Sequence, residues 1–220
     1  EKLVYGIIRA ELLEVRAAYA DERRSEIIDQ EGEFDPLSVI ADEDMVITVT
    51  SSGYVKRSPL SLYRAQGRGG KGRTGMTTKD GDFVEHLFVA STHDSLLVFT
   101  DHGRVHCVRV WDVPSAGPAA RGKALVNLIQ VEPGDKVAAM TTTRGFPEDR
   151  FLLFSTKRGL VKKTVLSAYG NVRAAGIIAT NLEDEDELLS VQVTDGSRQV
   201  FLGTRNGMGI KFTETDVRPI

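Results

Sequence analysis

This chain has one cysteine, one tryptophan and no long apolar run, and the shortages exclude whole classes of protein. A lone Cys107 rules out an intramolecular disulfide framework and, with only four histidines in 220 residues, removes the usual zinc spacings. A reducing compartment fits, and neither a metal nor a resident cofactor is expected. No stretch approaches the roughly 18 consecutive apolar residues that span a bilayer, and the opening EKLVYGIIRAELLEVRAAYADERRSEII is too charged for a signal peptide. The expectation is a soluble cytoplasmic protein with no membrane partner. Acid is also missing, but only locally. Between Met45 and Thr78 there are six cations, Lys56, Arg57, Arg64, Arg68, Lys71 and Arg73, and no aspartate or glutamate.

The formal net charge is −3, yet residues 1–44 carry −8 and residues 45–220 carry +5. A field divided in this way attracts polyanions to the second region whatever the total. With 41% hydrophobic residues, the chain can bury a sizeable core and reads as globular.

What is present starts with a helical stripe. Val4, Ile8, Leu12, Val15 and Tyr19 recur at steps of three and four among Glu11, Glu14 and Arg16, the pattern of an amphipathic helix over residues 1–24. No capping residue precedes it, so a longer helix beginning upstream is expected. Residues 25–44 read as a polar connector carrying Gly32 and Pro36, with one short strand at Ser25 to Ile28.

From residue 45 the periodicity changes to short β-branched runs that repeat. MVITVTSSGYVKRSPLSLY, SLLVFTDHGRVHCVRVWDVP, RFLLFSTKRGLVKKTVLSAY and QVFLGTRNGMGIKFTETDVRP share one plan: a strand, a turn closing on Gly53, Gly103, Gly159 or Gly207, and a second strand. A tight hairpin needs positive φ, which glycine supplies, so each unit predicts a β-hairpin. Between the hairpins lie GRTGMTTKDGDFVEHLFVAST, GKALVNLIQVEPGDKVAAMTTT and GIIATNLEDEDELLSVQVTD, each a weak strand, an acidic turn at Asp82, Asp135 or Asp186, and a stronger strand. Read as a second hairpin-like element per unit, these give four-stranded blades in a mainly β, propeller-like array over residues 45–220. The array stops directly after the fourth hairpin and is expected to continue further.

QGRGGKG, residues 66–72, is the most distinctive segment. Gly67, Gly69 and Gly72 have the spacing of a dinucleotide fingerprint, but no helical stripe follows to receive a pyrophosphate. A Walker loop fails as well, because Gly72 follows Lys71 where Ser or Thr must help hold magnesium. The glycines expose backbone N–H groups while Arg68, Lys71 and Arg73 offer charge-assisted contacts to phosphate, so nucleic-acid backbone binding and a plain linker both remain open.

These residues resemble the DNA gyrase A-subunit family. QGRGGKG resembles its basic glycine-rich heptapeptide, the GyrA box, although the family's usual second-position cation is Gly67 here. IIRAELLEVRAAYADERRSEI resembles the end of that family's coiled-coil helix. VITVTSSGYVKRSPLSLYRAQ, FVASTHDSLLVFTDHGRV, ARGKALVNL and TKRGLVKKTVL resemble successive segments of its C-terminal β-pinwheel. The resemblance implies a partial β-pinwheel of about four blades that wraps duplex DNA and biases strand passage toward negative supercoils. It also implies two protein partners, the gyrase B subunit together with a second copy of the A subunit, with ATP and magnesium used elsewhere in that complex. The cleavage tyrosine lies outside this region in the family, so no catalytic residue is expected here. Candidate DNA contacts are Gln66, Gly67, Arg68, Gly69, Gly70, Lys71, Gly72, Arg73, Arg64, Arg121 and Lys123. To these are added Lys56 with Arg57, Lys162 with Lys163, and Lys211, which follow the turn glycines and should form a row of charge at one height, with Arg104 or Arg109 substituting in the second repeat. A propeller-like protein-interaction module without wrapping is the competing reading.

Other residues read as structural. His86, His93, His102 and His106 lack metal-site spacing, EDEDE at 183–187 reads as a solvated turn, and Cys107 and Trp111 read as packing residues.

Overall fold

The computed structural model describes residues 2–22, 24–25, 35–63, 65, 67–70, 72, 74–132 and 134–220. Residues 1–35 and 36–220 form two separate compact units. In the first, α1 spans Lys2–Tyr19, the length of the apolar stripe, and ends short of the residue 24 expected from the sequence. Every member of that stripe is exposed, from Ile8 at 45% to Tyr19 at 80%, so this helix buries none of it. Apart from Ser25, the expected connector strand lies outside the described residues.

The second unit begins with a short 3₁₀ turn at Pro36–Ser38 and is mainly β, with further short 3₁₀ turns after strands. Four hairpins stand where the repeats predict them: β1 (Asp44–Thr50) with β2 (Tyr54–Pro59), and β4 (Ser95–Thr100) with β5 (Arg104–Arg109). The other two are β8 (Phe151–Thr156) with β9 (Val161–Val165) and β12 (Gln199–Gly203) with β13 (Gly209–Thr213). Their turn glycines all take positive φ, between 76° and 89°. An L-residue there would bring its Cβ against its own backbone.

The intervening segments form β3 (Val84–Ser91), β6 (Lys123–Ala124), β7 (Val137–Thr143), β10 (Ile177–Ile178) and β11 (Leu188–Thr194). Here the expected second hairpin is corrected. The weak strand and the stronger one that follows it join different sheets. β7 adds to its own hairpin beside β4, whereas β6 crosses back to pair with β2 of the preceding hairpin. β10 likewise pairs with β5, and β11 with β8. The sheet orders are β3-β1-β2-β6, β10-β5-β4-β7, β11-β8-β9 and β12-β13. Each four-stranded blade therefore borrows its last strand from beyond the next hairpin, which interlocks consecutive blades.

Two apolar clusters fill the spaces between sheets. Ile47, Val49, Leu96, Val98 and Val108 belong to the first, while Leu97, Phe99, Val105, Leu152 and Phe154 belong to the second. Successive residues of β4 thus enter opposite clusters, and all six of its residues are buried. A strand covered on both faces has no polar side to show, which explains the unbroken SLLVFT.

The EDEDE turn is solvated as expected except at one residue. Asp186 within EDEDE is not a solvated residue: its side-chain oxygen accepts the Arg158 and Glu187 N–H groups, each at 2.9 Å. Asp82 does the same for the Ser52 N–H and the Ser51 hydroxyl. These carboxylates close the tip of the neighbouring hairpin turn, and their hydrogen bonds hold both pKa values below the ordinary aspartate range despite the opposing effect of burial.

Candidate nucleic-acid interface

The glycine-rich segment leaves the first hairpin and re-enters the fold at Met76, which is buried. Gly67, Arg68, Gly69 and Gly70 form a tight turn closed by the Gly70 N–H donating to the Gly67 carbonyl at 3.2 Å. Gly69, at φ 84°, supplies the left-handed position that this turn requires. Arg68 is exposed at its tip. Gln66, Lys71, Arg73 and Arg64 lie outside the described residues. Downstream, the Thr77 hydroxyl donates to the Ala119 carbonyl, tying the segment to the loop after the second hairpin.

Gly72 stands in the repeat frame where Gly122 and Gly176 stand, ten residues before Asp82 as Gly176 is before Asp186. All three have φ between 70° and 79°. The difference is their surroundings. A Cβ on Gly122 would lie 2.4 Å from the Val55 carbonyl oxygen, and one on Gly176 would lie 2.7 Å from the His106 ring, whereas a Cβ on Gly72 would meet nothing within 4 Å. The backbone conformation that docks an exchanged strand is therefore already set at Gly72, with room left for a side-chain carbon.

The expected row of cations is substantially corrected. Lys56 is fully buried, and its ammonium donates to the carbonyls of Gly117, at 3.0 Å, and Pro118. Lys163 is 4% exposed and donates to the Glu214 carbonyl. Arg57 donates from Nε to Val113 at 2.7 Å and from Nη2 to Trp111 at 3.1 Å. Trp111, Val113 and Glu214 all belong to the 3₁₀ turns that end the following hairpin, or to the residue just after. These side chains join one blade to the next rather than facing outward. Where the following segment passes beside the second hairpin strand, its carbonyls accept a further donor from these long cations; those of Gly117 and Glu214 also accept the Ala120 and Val217 N–H groups. Arg104 meets the Ala175 carbonyl at 3.0 Å and so substitutes in the second repeat, while Arg109 turns to Ser95 and the face of Trp111.

Lys162 is half-buried and donates to the Ala179 carbonyl at 2.8 Å. Arg121 lies 4.0 Å above the Tyr54 ring, a cation–π contact, and its Nε and Nη2 are shielded from water. Lys123 and Lys211 are exposed, as expected. The outward-facing cations among the described candidates are thus Arg68, Lys123 and Lys211.

The arrangement of hairpins recurs in known proteins. The family described as DNA gyrase C-terminal domain, beta-propeller, matches residues 44–91, 94–144, 150–195 and 198–220, one match per hairpin unit. The chain belongs to this family. The DNA gyrase A protein of Clostridium acetobutylicum is 44% identical over 220 residues, covering 100% of this chain and 26% of that protein. The corresponding protein of Haemophilus influenzae is 42% identical over 212 residues, covering 96% of this chain and 24% of that one. The chain thus spans about a quarter of the length of these gyrase A relatives. Among solved structures, the C-terminal domain of DNA topoisomerase IV superposes with a TM-score of 0.69 at 31% identity, covering 82% of this chain and 55% of that one. A gyrase A C-terminal domain superposes at 0.66 and 23% identity, covering 81% and 57%, and shows the shared fold. The fold class is the β-pinwheel of these C-terminal domains, preceded here by α1, within a type II topoisomerase family.

No helix among the described residues is long and apolar enough to cross a membrane. Sequence reasoning found the equivalence of Lys56, Lys162 and their neighbours but missed that most of them are structural. The signal was available in part: a cation facing an exchanged segment has a carbonyl to meet. The exchange itself, between β2 and a two-residue strand about 70 residues later, leaves no periodic trace.

Proposed function

We propose that this chain is the DNA-binding and DNA-wrapping part of a gyrase A protein, biasing ATP-dependent strand passage toward negative supercoils. The observation that carries the reading is the glycine-rich segment with Arg68 at its exposed tip, set in a family domain that matches the chain in four consecutive repeats. Its partners are duplex DNA and, in the whole enzyme, the gyrase B protein with a second copy of the A protein, in the bacterial cytoplasm with the chromosome. ATP and magnesium belong to other parts of that complex, and this chain contributes no catalytic residue.

The physical work is bending. A smooth bend of 20 to 30 base pairs by 40 to 90° costs about 1 to 6 kcal/mol, which phosphate contacts must offset. Lys123 and Lys211, exposed on β6 and β13, are candidate contacts along the array, and Arg68 is one at the glycine-rich turn, with Lys71 and Arg73 close to it in the sequence. Lys56 and Lys163 act indirectly by locking the blades that carry these contacts.

The test is the salt dependence of duplex binding by the chain and by an Arg68→Ala, Lys71→Ala, Arg73→Ala variant. Log affinity should fall by about 0.9 per decade of salt for each phosphate neutralised, and the variant should flatten that slope by up to about three contacts. An unchanged slope would favour the protein-interaction module instead.

A further inference from the structure

The turn joining β4 to β5 departs from its counterparts in a way the fold does not require. In the first repeat, the tip residues Ser51 and Ser52 donate to Asp82, and in the third, Arg158 donates its N–H to Asp186 while Lys157 pairs with Glu187. Each tip thus offers its carboxylate donors or cations. The second repeat places Asp101 and His102 there, facing Asp135. A second carboxylate, whose Oδ1 also accepts the Lys136 N–H at 2.9 Å, therefore stands where the frame calls for a donor, with one imidazole between the two.

His102 Nδ1 lies 3.1 Å from an Asp101 carboxylate oxygen and 2.9 Å from one of Asp135, and one ligand atom from each residue fits within a 4.8 Å cluster. Ligand atoms about 2.1 Å from a tetrahedral zinc-class ion stand about 3.4 Å apart, so these two contacts, hydrogen bonds as they stand, need to open by only a few tenths of an ångström to admit one. The Asp135 side chain is only 8% exposed, and its Oδ2 is shut off from water with no hydrogen-bond donor among the described residues. Asp82 and Asp186 carry the same orphaned oxygen, but of the three turns this one adds an imidazole nitrogen and a second carboxylate beside it, and a cation held there relieves the cost of the buried oxygen. His102 and Asp135 also line the mouth of a cleft of about 730 Å³ whose wall includes Glu132, Glu183 and Glu185, so the local field favours positive charge.

We propose that Asp101, His102 and Asp135 bind a first-row divalent transition metal of the zinc class, through one nitrogen and at least two carboxylate oxygens. The N,O donor set selects such an ion over magnesium, which prefers all-oxygen shells and retained water. Bound there, it would cross-link the β4–β5 turn to the turn before β7 and brace the edge of the second sheet.

The experiment uses the tag-free chain stripped of metal. Zn²⁺ and Co²⁺ are titrated with thermal unfolding and calorimetry as readouts, and the visible absorption of bound Co²⁺ reports its ligands. The comparison variant is Asp101→Ser with His102→Ser, which copies the Ser51–Ser52 tip of the first repeat and so keeps a turn the fold already tolerates. The expected result is a saturable rise in Tm with Zn²⁺ at one equivalent, a histidine-ligated Co²⁺ spectrum, and at least about tenfold weaker binding in the variant. The absence of a saturable shift would overturn the assignment and leave a histidine hydrogen-bonded between two carboxylates. Equal affinity in the variant, or an equal response to Mg²⁺, would overturn it as well.

Discussion

Two joints in the same chain, built on the same repeat, hold neighbouring blades together by different means. Between the first and second sheets, the apolar cluster is joined by polar contacts: Lys56 and Arg57 reach four carbonyls, and the Ser58 hydroxyl donates to Ala116. Between the second and third, the corresponding positions are His106 and Cys107. The histidine is 1% exposed and packs against Gly176, and the cations at this joint are Arg104, which reaches the Ala175 carbonyl, and Lys162, which reaches that of Ala179. Both joints share the glycine that lets the exchanged strand come in close, Gly122 in one and Gly176 in the other. The close approach is thus the constant requirement of this architecture, and the way the remaining carbonyls are satisfied is variable.

Substitution of the glycines should break the comparison most severely. Gly122→Ala combines about 1–2 kcal/mol for the left-handed backbone with a clash against the fixed Val55 carbonyl, so a loss of about 3 kcal/mol or more is expected. Gly72→Ala, with the same backbone but open surroundings, should cost only about 1 kcal/mol. Urea unfolding midpoints of the two variants measure the difference, and equal losses would show that the close approach at Gly122 contributes nothing.

Removing the ammonium from the first joint comes next. Lys56→Met keeps most of the stem but takes the ammonium from the Pro118 carbonyl and leaves the Gly117 carbonyl with the Ala120 N–H alone, for an expected loss of about 1.5–3 kcal/mol. Denaturant unfolding at constant m-value would establish it. A neutral outcome would mean that water or backbone movement replaces the lysine.

The smallest effect sharpens the second joint. Burial, and secondarily the Arg104 charge, hold the His106 pKa below its ordinary value, with the Ala174 backbone opposing. The unfolded chain therefore takes up its proton at higher pH than the folded one. The stability that His106 contributes is complete above about pH 6.5 and declines as pH falls from there through the lowered folded value. Tm measured between about pH 7.5 and 5.5 should show this decline, and His106→Gln should flatten it. A decline of the same size in the variant would assign it to other groups.

Much of the fold is legible in the sequence because its rules are local. Gly53, Gly103, Gly159 and Gly207 mark hairpins through a backbone need that lies within four residues, and runs such as SLLVFT announce a strand covered on both faces. The strand exchange is not legible, because β6 and β10 are two residues long and find partners about 70 residues earlier. The candidate interface divides in the same way. QGRGGKG and the equivalence of Lys56, Arg57, Lys163 and Lys211 can be read from spacing alone, but which of those cations face solvent cannot.

By itself, the sequence determined the number of hairpins, the positions of their turns and the charge carried by each repeat, since these depend on neighbours a few residues apart. Only the tertiary structure decided that Lys56 and Lys163 turn to carbonyls of the following blade while Lys211 stays outside, and that Asp101, His102 and Asp135 meet. The reason is physical: a long side chain goes where a carbonyl with a free lone pair or a compensating charge lies within reach, and the packing of one blade against the next sets where those are.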